Sequence, residues 1–302
     1  MTGGAAKRFE VIILGGGPAG LSAGLVLGRC MRRALICDDG RYRNKSSHAL
    51  HCFLGQDGIS PCDLLKRSRD QLRCYPTLSF TAATAARVTQ SNGEFIVDFK
   101  DGSSHTVKAV LIATGMVDEL PQVKDIEDFF GRSVHVCPYC DAWEHRNAPV
   151  AVYGRGEKGC SFAQLLRQWT HDLVLCTDGE DLPDNLTRQL DQDGILLETE
   201  SIDRLEGSDG CLCAIRFKGG RLLPRQALFF TTGQHPRSPL LSGLGCTYDE
   251  KGGLACDADG ATSISGAFVA GDVSRDVQLA IIAAAEGARA ALAINKYLLA
   301  RG

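Results

Sequence analysis

The chain has 302 residues, 44% hydrophobic and 23% charged, a composition that fits a globular protein of roughly two domains of ordinary size. A formal net charge of -3 excludes a global positive field that would gather nucleic acid. The apolar runs are too short to span a bilayer, and residues 1–10 carry Lys7 and Arg8 with no apolar stretch before a cleavage site. Neither a membrane segment nor a leader is expected, and a reducing cytoplasm is the expected compartment.

The first predicted element is a buried strand over residues 9–14, which runs directly into Gly15-Gly16-Gly17-Pro18-Ala19-Gly20 and then a helix over 21–29. Strand, glycine turn and helix in this order make a dinucleotide-binding unit. Gly15 permits the tight turn, Gly17 lets a pyrophosphate approach the backbone, and Gly20 lets helix and strand pack. The helix start, with Pro18 and Ala19, offers amide donors to phosphate. A second strand, 34–37, ends at Asp38, at the separation where a carboxylate takes a ribose hydroxyl; Asp39, one residue on, is the alternative, and either could be a turn residue. The basic pairs Arg32-Arg33 and Lys66-Arg67 are expected on solvated helix faces.

Cys137-Pro138-Tyr139-Cys140, followed by Asp141, is the next chemical signal. Two cysteines at this spacing lie on one turn, so they cycle between dithiol and disulfide without moving the backbone. A structural zinc is the alternative, but it wants a second pair at matching spacing, and Cys211-Leu212-Cys213 is one residue too tight. The chain has 13 cysteines, an odd number in a long sequence with many in apolar runs, so most are expected to be buried free thiols rather than a disulfide framework. A second strand, glycine turn and helix follows: a strand over 149–153, Gly154-Arg155-Gly156-Glu157-Lys158-Gly159, a helix reaching 169, and a strand over 172–176.

Taken together, these pieces resemble the low-molecular-weight thioredoxin reductases over nearly the whole chain. Four motifs carry the likeness in the family's order: Gly15 to Gly20 with Asp38, Ala113-Thr114-Gly115 after a strand over 109–112, Cys137 to Asp141, and Gly271-Asp272 after a strand over 266–270. Gln278 and Leu279 then open a small-residue helix over 279–293. The resemblance implies an α/β fold of two Rossmann-like dinucleotide-binding domains of the three-layer ββα type, the second inserted into the first. Residues 1–117 and 236–302 would hold FAD, and 118–235 would form the nicotinamide-type domain bearing the redox pair. It further implies that Asp272 contacts the flavin ribityl chain, that the backbone near Gln278 reaches the flavin ring, and that the protein is a homodimer. By the same likeness Cys140 faces the flavin, Cys137 forms the mixed disulfide with the partner, and Asp141 gives and takes the thiol proton.

Two departures refine this expectation. NADPH-using relatives carry a His-Arg-Arg cluster for the 2′-phosphate, whereas this chain has Cys176-Thr177-Asp178-Gly179-Glu180, whose carboxylates would repel it. Electron entry from NADPH is therefore not expected, and Gly159 replaces the family's usual alanine, a milder change. Arg41-Tyr42-Arg43-Asn44 and the stretch 47–55, with His48 and His51, resemble the branch that lacks the NADPH motif, including ferredoxin-type reductases and gliotoxin-type dithiol oxidases. Arg43 and Asn44 become candidate cofactor contacts. His48 and His51 become candidate catalytic groups, with structural histidines as the alternative. The leading expectation is a flavin-dependent reductase of thioredoxin fed by a ferredoxin-like or other donor. Close behind is an oxidase closing a small-molecule dithiol with oxygen; an NADPH-dependent reductase and a redox sensor rank lower.

Overall fold

The computed structural model describes residues 8–240, 242–248, 254–274 and 277–301; the leader reading of the first seven residues lies outside them. The chain opens with β1 (Val11–Leu14), α1 (Pro18–Arg29), β2 (Ala34–Cys37), α2 (Pro61–Leu72) and β3 (Leu78–Thr81). An antiparallel trio, β4 (Ala85–Ser91), β5 (Glu94–Phe99) and β6 (Ser104–Val107), precedes β7 (Ala109–Ile112) and β8 (Met116–Asp118). A helical turn α3 (Ile126–Phe129), the short β9 (Val134–His135) and a second turn α4 (Pro138–Asp141) follow. Next come β10 (Val150–Tyr153), α5 (Gly156–Leu166), β11 (Leu173–Cys176), α6 (Asp184–Gln192) and β12 (Leu196–Glu198). A second antiparallel trio, β13 (Ile202–Ser208), β14 (Cys211–Phe217) and β15 (Leu222–Pro224), leads to β16 (Ala227–Phe230), β17 (Gln234–Pro236), β18 (Ala267–Val269) and α7 (Ala280–Leu299).

The strands build two parallel sheets, ordered β18-β7-β1-β2-β3 and β12-β11-β10-β16-β9. β1, β2 and β7 read VIIL, ALIC and AVLI and are buried at every position, as a parallel sheet covered on both faces requires. Their side chains divide by alternation. Val11, Ile13, Ile36 and Leu111 join the helical layer of α1, α2 and α7, while Ile12, Leu14, Val110 and Ile112 join Val88, Phe95 and Val97 of the antiparallel trio. The second sheet repeats this plan: Val152, Leu175 and Phe229 pack on α5 and α6, and Ala151, Val174 and Leu228 pack on β13 and β14. Each unit is thus a ββα sandwich, in which every fully buried aliphatic side chain contributes about 1.5–3 kcal/mol. β8 and β17 pair antiparallel, Met116 opposite Pro236 and Asp118 opposite Gln234, where the chain crosses between the two sheets.

Several expectations are corrected. α1 begins at Pro18 rather than residue 21, because proline at the first helical position gives up an N–H that has no partner there anyway. α7 runs on to Leu299, its buried Ile294 and Leu298 continuing the apolar stripe past residue 293, and α5 stops at Leu166 short of 169. Arg32 and Arg33 do not lie on a solvated helix face. They follow α1 in the turn and clamp Glu10, with Arg32 reaching Asn295 at 2.7 Å. The cysteines also depart from expectation: of 11 free thiols only Cys37, Cys160, Cys176 and Cys246 are buried, and Cys52, Cys62, Cys74, Cys211 and Cys213 are exposed. The exposed ones sit in loops, on the outer face of α2, or on the outward positions of β14. No helix among the described residues is long and apolar enough to cross a membrane.

Candidate active site

Parallel register brings the first motifs to one edge. Leu14 is opposite both Cys37 and Ile112, and Ile112 is opposite Val269, so the residues following β1, β2, β7 and β18 emerge side by side. Gly15 has φ 117°, a left-handed conformation, and a Cβ there would collide with the Ala113 carbonyl oxygen. Glycine at this position is therefore what lets the first turn pass the end of β7. A Cβ at Gly17, by contrast, would meet nothing within 4 Å, since this residue faces open space.

That space is a cavity of about 850 Å³. Gly15, Gly17, Pro18 and Ala19 form one wall with Asp38 and Asp39; Ala113, Thr114 and Gly115 form its floor; Gly271, Asp272, Gln278 and Leu279 close another side. Arg43, Asn44 and His51 come from the segment between β2 and α2, and Cys137, Cys140 and Asp141 complete the lining from the second unit. Gly20 and His48 are absent from the walls. Gly20 lies behind the loop, where a Cβ would strike the Gly15 carbonyl, and His48 is exposed.

The cavity suits a flavin dinucleotide. The Thr114 hydroxyl is buried without a hydrogen-bond partner, a vacancy that a ligand group can satisfy. The Asp38 carboxylate pairs with Arg69 of α2 and accepts the Gly40 amide at 3.2 Å. Asp39 is instead engaged by Arg41, which holds its carboxyl below the usual range against the opposing effect of burial. Arg43 is the hub of the site: its guanidinium binds Asp118, Gln278 and Asp272, the last at 3.1 Å, and reaches Gln234 at 3.2 Å. It thereby ties the β8–β17 crossing to the segment after β18.

The redox centre hangs on the edge strand of the second sheet. β9 delivers the chain to Cys137, which caps α4, and Cys137 and Cys140 are joined as a disulfide. The Cys140 amide donates to Cys137 Sγ at 3.2 Å, which favours a thiolate there once the bond is reduced. Both cysteines are half-buried, while Tyr139 between them is 60% exposed and Trp143 just beyond is 64% exposed. Asp141 has its pKa pushed up to about 7, first by burial and then by the charge of Glu144, with His51 opposing. A carboxyl so placed is half-protonated near neutral pH and can both give and take a proton.

Sequence reasoning missed His135, His145, Glu144, Asp57 and Asp118 here. His135 on β9 is buried, its Nδ1 3.5 Å from Asp141 Oδ1 and its Nε2 3.0 Å from His145 Nε2. Glu144 lies 3.5 Å from His51 Nε2, while Asp57 holds His51 Nδ1 at 3.4 Å and accepts the Cys52 amide at 2.8 Å. The exposed Cys52 thiol donates to the Tyr139 carbonyl at 3.2 Å, so segment 51–52 is pinned to the redox turn. Asp118 is missed as the partner of Arg43. The only sequence signal for any of them is proximity to the motif, which His145 and Glu144 share with many residues that do nothing.

At the second glycine turn, a Cβ on Gly159 would approach the Gly154 backbone to 2.6 Å, so glycine is required there and the departure from alanine is less mild than the sequence suggests. Arg155 is turned onto the β11–α6 connection. It donates to the Thr177 carbonyl at 3.2 Å and pairs with Asp178 at 3.3 Å and Glu180 at 3.8 Å. Tyr153 donates to Asp178 at 2.7 Å, and burial pushes its phenol up to about 12.

Residues 9–287 match the model of a family described as pyridine nucleotide-disulphide oxidoreductase. The chain resembles the crystal structure of a putative thioredoxin reductase from Bacillus anthracis, with TM-score 0.93 and 31% identity, covering 97% of this chain and 99% of the other. It is 27% identical to thioredoxin reductase aclD of Aspergillus oryzae, over 97% of this chain and 98% of that protein. Thioredoxin reductase sirT of Leptosphaeria maculans is likewise 27% identical, over 95% and 93% respectively.

Proposed function

The chain belongs to the pyridine nucleotide-disulphide oxidoreductases, in their thioredoxin reductase-like group, and on that premise we propose that it is an FAD-dependent thiol–disulfide oxidoreductase that does not draw on NADPH. The observation that carries this reading is the meeting of the Cys137–Cys140 disulfide with the glycine turn, Thr114 and Asp272 around one cavity. FAD, when bound, supplies the two-electron chemistry, while the protein positions and shields it. Residues 1–117 and 236–302 would hold it through Gly15, Gly17, Asp38, Arg43, Thr114, Asp272 and Gln278. Residues 118–235 would carry the redox pair, and two such chains would form the homodimer.

At the sulfur centre a partner thiolate attacks Cys137, forming a mixed disulfide and releasing Cys140 as thiolate. A second partner thiolate then resolves it, and the partner leaves oxidised while the enzyme holds the dithiol. Run backwards, the same exchange reduces the disulfide of a protein such as thioredoxin. Asp141 takes the proton of the attacking thiol in one direction and returns it in the other. The Cys140 amide steadies the Cys137 thiolate, and exposed Tyr139 and Trp143 leave the centre open to a protein partner.

Independence from NADPH is supported by Arg155. Arg155 of the second glycine turn is already taken by Asp178 and Glu180, whose carboxylates would repel a 2′-phosphate. A ferredoxin-like protein or another donor is then the source of electrons. A second reading, an oxidase that closes a small-molecule dithiol and passes the electrons to oxygen, is favoured by His51, which lines the cavity and contacts Glu144 beside Asp141. Anaerobic mixing of the purified protein with NADPH, NADH or dithiothreitol, followed by flavin bleaching, tests the proposal. Bleaching by dithiothreitol alone is expected, and rapid bleaching by NADPH refutes the donor reading. Peroxide release on admitting air with a small dithiol selects the oxidase, and turnover confined to thioredoxin selects the reductase.

A further inference from the structure

The exchange chemistry leaves one feature beside the disulfide unused, a pair of facing imidazoles, one buried and one half-buried. His135 lies on β9 and lines the cavity, with its Nδ1 3.5 Å from Asp141 Oδ1. Its other nitrogen, Nε2, stands 3.0 Å from Nε2 of His145, a half-buried residue that is not part of the cavity wall. Both rings pack on the buried Phe229, at centroid distances of 5.2 and 6.2 Å, which fixes their planes and excludes water from that side.

Two ring nitrogens at 3.0 Å must share one proton, since two N–H groups or two lone pairs facing each other would repel. Only two arrangements of the neutral pair satisfy this. If His135 carries its proton on Nε2 and donates to His145, its bare Nδ1 faces Asp141 and suits a protonated carboxyl. If His145 donates instead, His135 carries its proton on Nδ1 and suits the carboxylate. The tautomer of the pair is therefore coupled to the charge of Asp141.

We infer that Asp141, His135 and His145 form a proton relay leading from the redox cavity to the outside of the second unit. Protonated Asp141 passes its proton to His135 Nδ1 as His135 passes its Nε2 proton to His145 Nε2. Asp141 is left as carboxylate and His145 as imidazolium, which then loses its Nδ1 proton to solvent. One proton leaves and no electrons move, so no oxidant or reductant is required. His135 and His145 are positioning residues that act through Asp141, and the inference rests on the reading of Asp141 as the acceptor of the thiol proton. The charged groups facing the relay are Glu144 and His51 at Asp141, and Glu144 again at His145, with the Arg132 backbone hydrogen-bonded to His135. Burial, helped by the His145 charge, holds His135 down at about 3, so it stays neutral and keeps one donor and one acceptor at physiological pH.

The test combines stopped-flow reduction of the oxidised holoenzyme by dithiothreitol with nitrogen-15 NMR of its histidine rings, in wild type, His145→Gly, His145→Gln and Asp141→Asn. His145→Gly should slow the reduction about tenfold near neutral pH, and added imidazole should restore the rate, because it fills the relay's outer position. The ring signals of His135 in wild type should exchange tautomer as pH passes through about 7 and should not do so in Asp141→Asn. Wild-type rates in both His145 variants, no rescue by imidazole, or a His135 tautomer indifferent to pH overturns the relay while leaving the role of Asp141 standing. A wild-type rate in Asp141→Asn overturns that role and the relay with it.

Discussion

Replacing Asp141 with asparagine keeps the shape of the side chain and removes its charge, which isolates the cost of ionising a carboxyl at this position. Burial and Glu144 raise its pKa from the usual 3.8 to about 7. At about 1.4 kcal/mol per pH unit, that difference corresponds to about 4 kcal/mol, a ceiling because 24% of the side chain stays accessible. The sign follows from which state binds the proton more tightly. Below the unfolded value both states are protonated and no penalty exists. Between the unfolded and folded values the unfolded chain ionises first, so wild-type stability falls as pH rises, and above the folded value the loss is complete. Asp141→Asn does not titrate, so it should gain on wild type by up to about 3 kcal/mol between about pH 5 and about pH 8, then no further. Urea unfolding of the two oxidised proteins across that range measures the difference directly. Any fixed cost of the amide itself cancels from the slope. A difference that stays constant with pH, or that shrinks as pH rises, would show that Asp141 is not desolvated, and the proton chemistry assigned to it would fall with that result.

Gly15→Ala places a Cβ on the Ala113 carbonyl in a left-handed turn and should cost at least about 2 kcal/mol, with a drop in flavin absorbance per protein in the purified variant. A variant as yellow and as stable as wild type would mean that the turn is not so constrained. Arg43→Met leaves the Asp118 side chain, only 6% exposed, without its cation, a loss of about 3–5 kcal/mol that differential scanning calorimetry should detect as a lowered Tm. An unchanged Tm would show that this pair is solvated. Iodoacetamide on the native protein should modify exposed Cys52, Cys62, Cys74, Cys211 and Cys213 well before Cys37 and Cys176, whose thiols burial pushes up to about 12. Peptide mass spectrometry reads the order, and early labelling of Cys176 would contradict the packing of the second sheet.

Much of this protein is written locally. Val11 to Leu14 running into three glycines, and Cys137 and Cys140 three residues apart, are chemical units whose geometry depends on near neighbours in the chain, so their spacing discloses them. The alternating burial of the parallel strands is equally legible, because a strand buried on both faces leaves an unbroken apolar run. What spacing cannot disclose is which distant groups share a place. Arg43 and Asp272 are 229 residues apart, and His135 and His145 are ten apart with no helical or strand period that would join them; the crossing of β8 with β17 and the packing on Phe229 bring these pairs together. The exposure of Cys62, Cys211 and Cys213 likewise depends on which side of α2 or β14 faced outward. The two glycine-turn folds, the redox pair and the lack of a cationic cluster after β11 follow from the order of the residues alone. The raised proton affinity of Asp141, the partners of Arg43 and Arg155, and the histidine pair come from the fold, because charge and proton affinity depend on burial and on neighbours that meet only once the chain has folded.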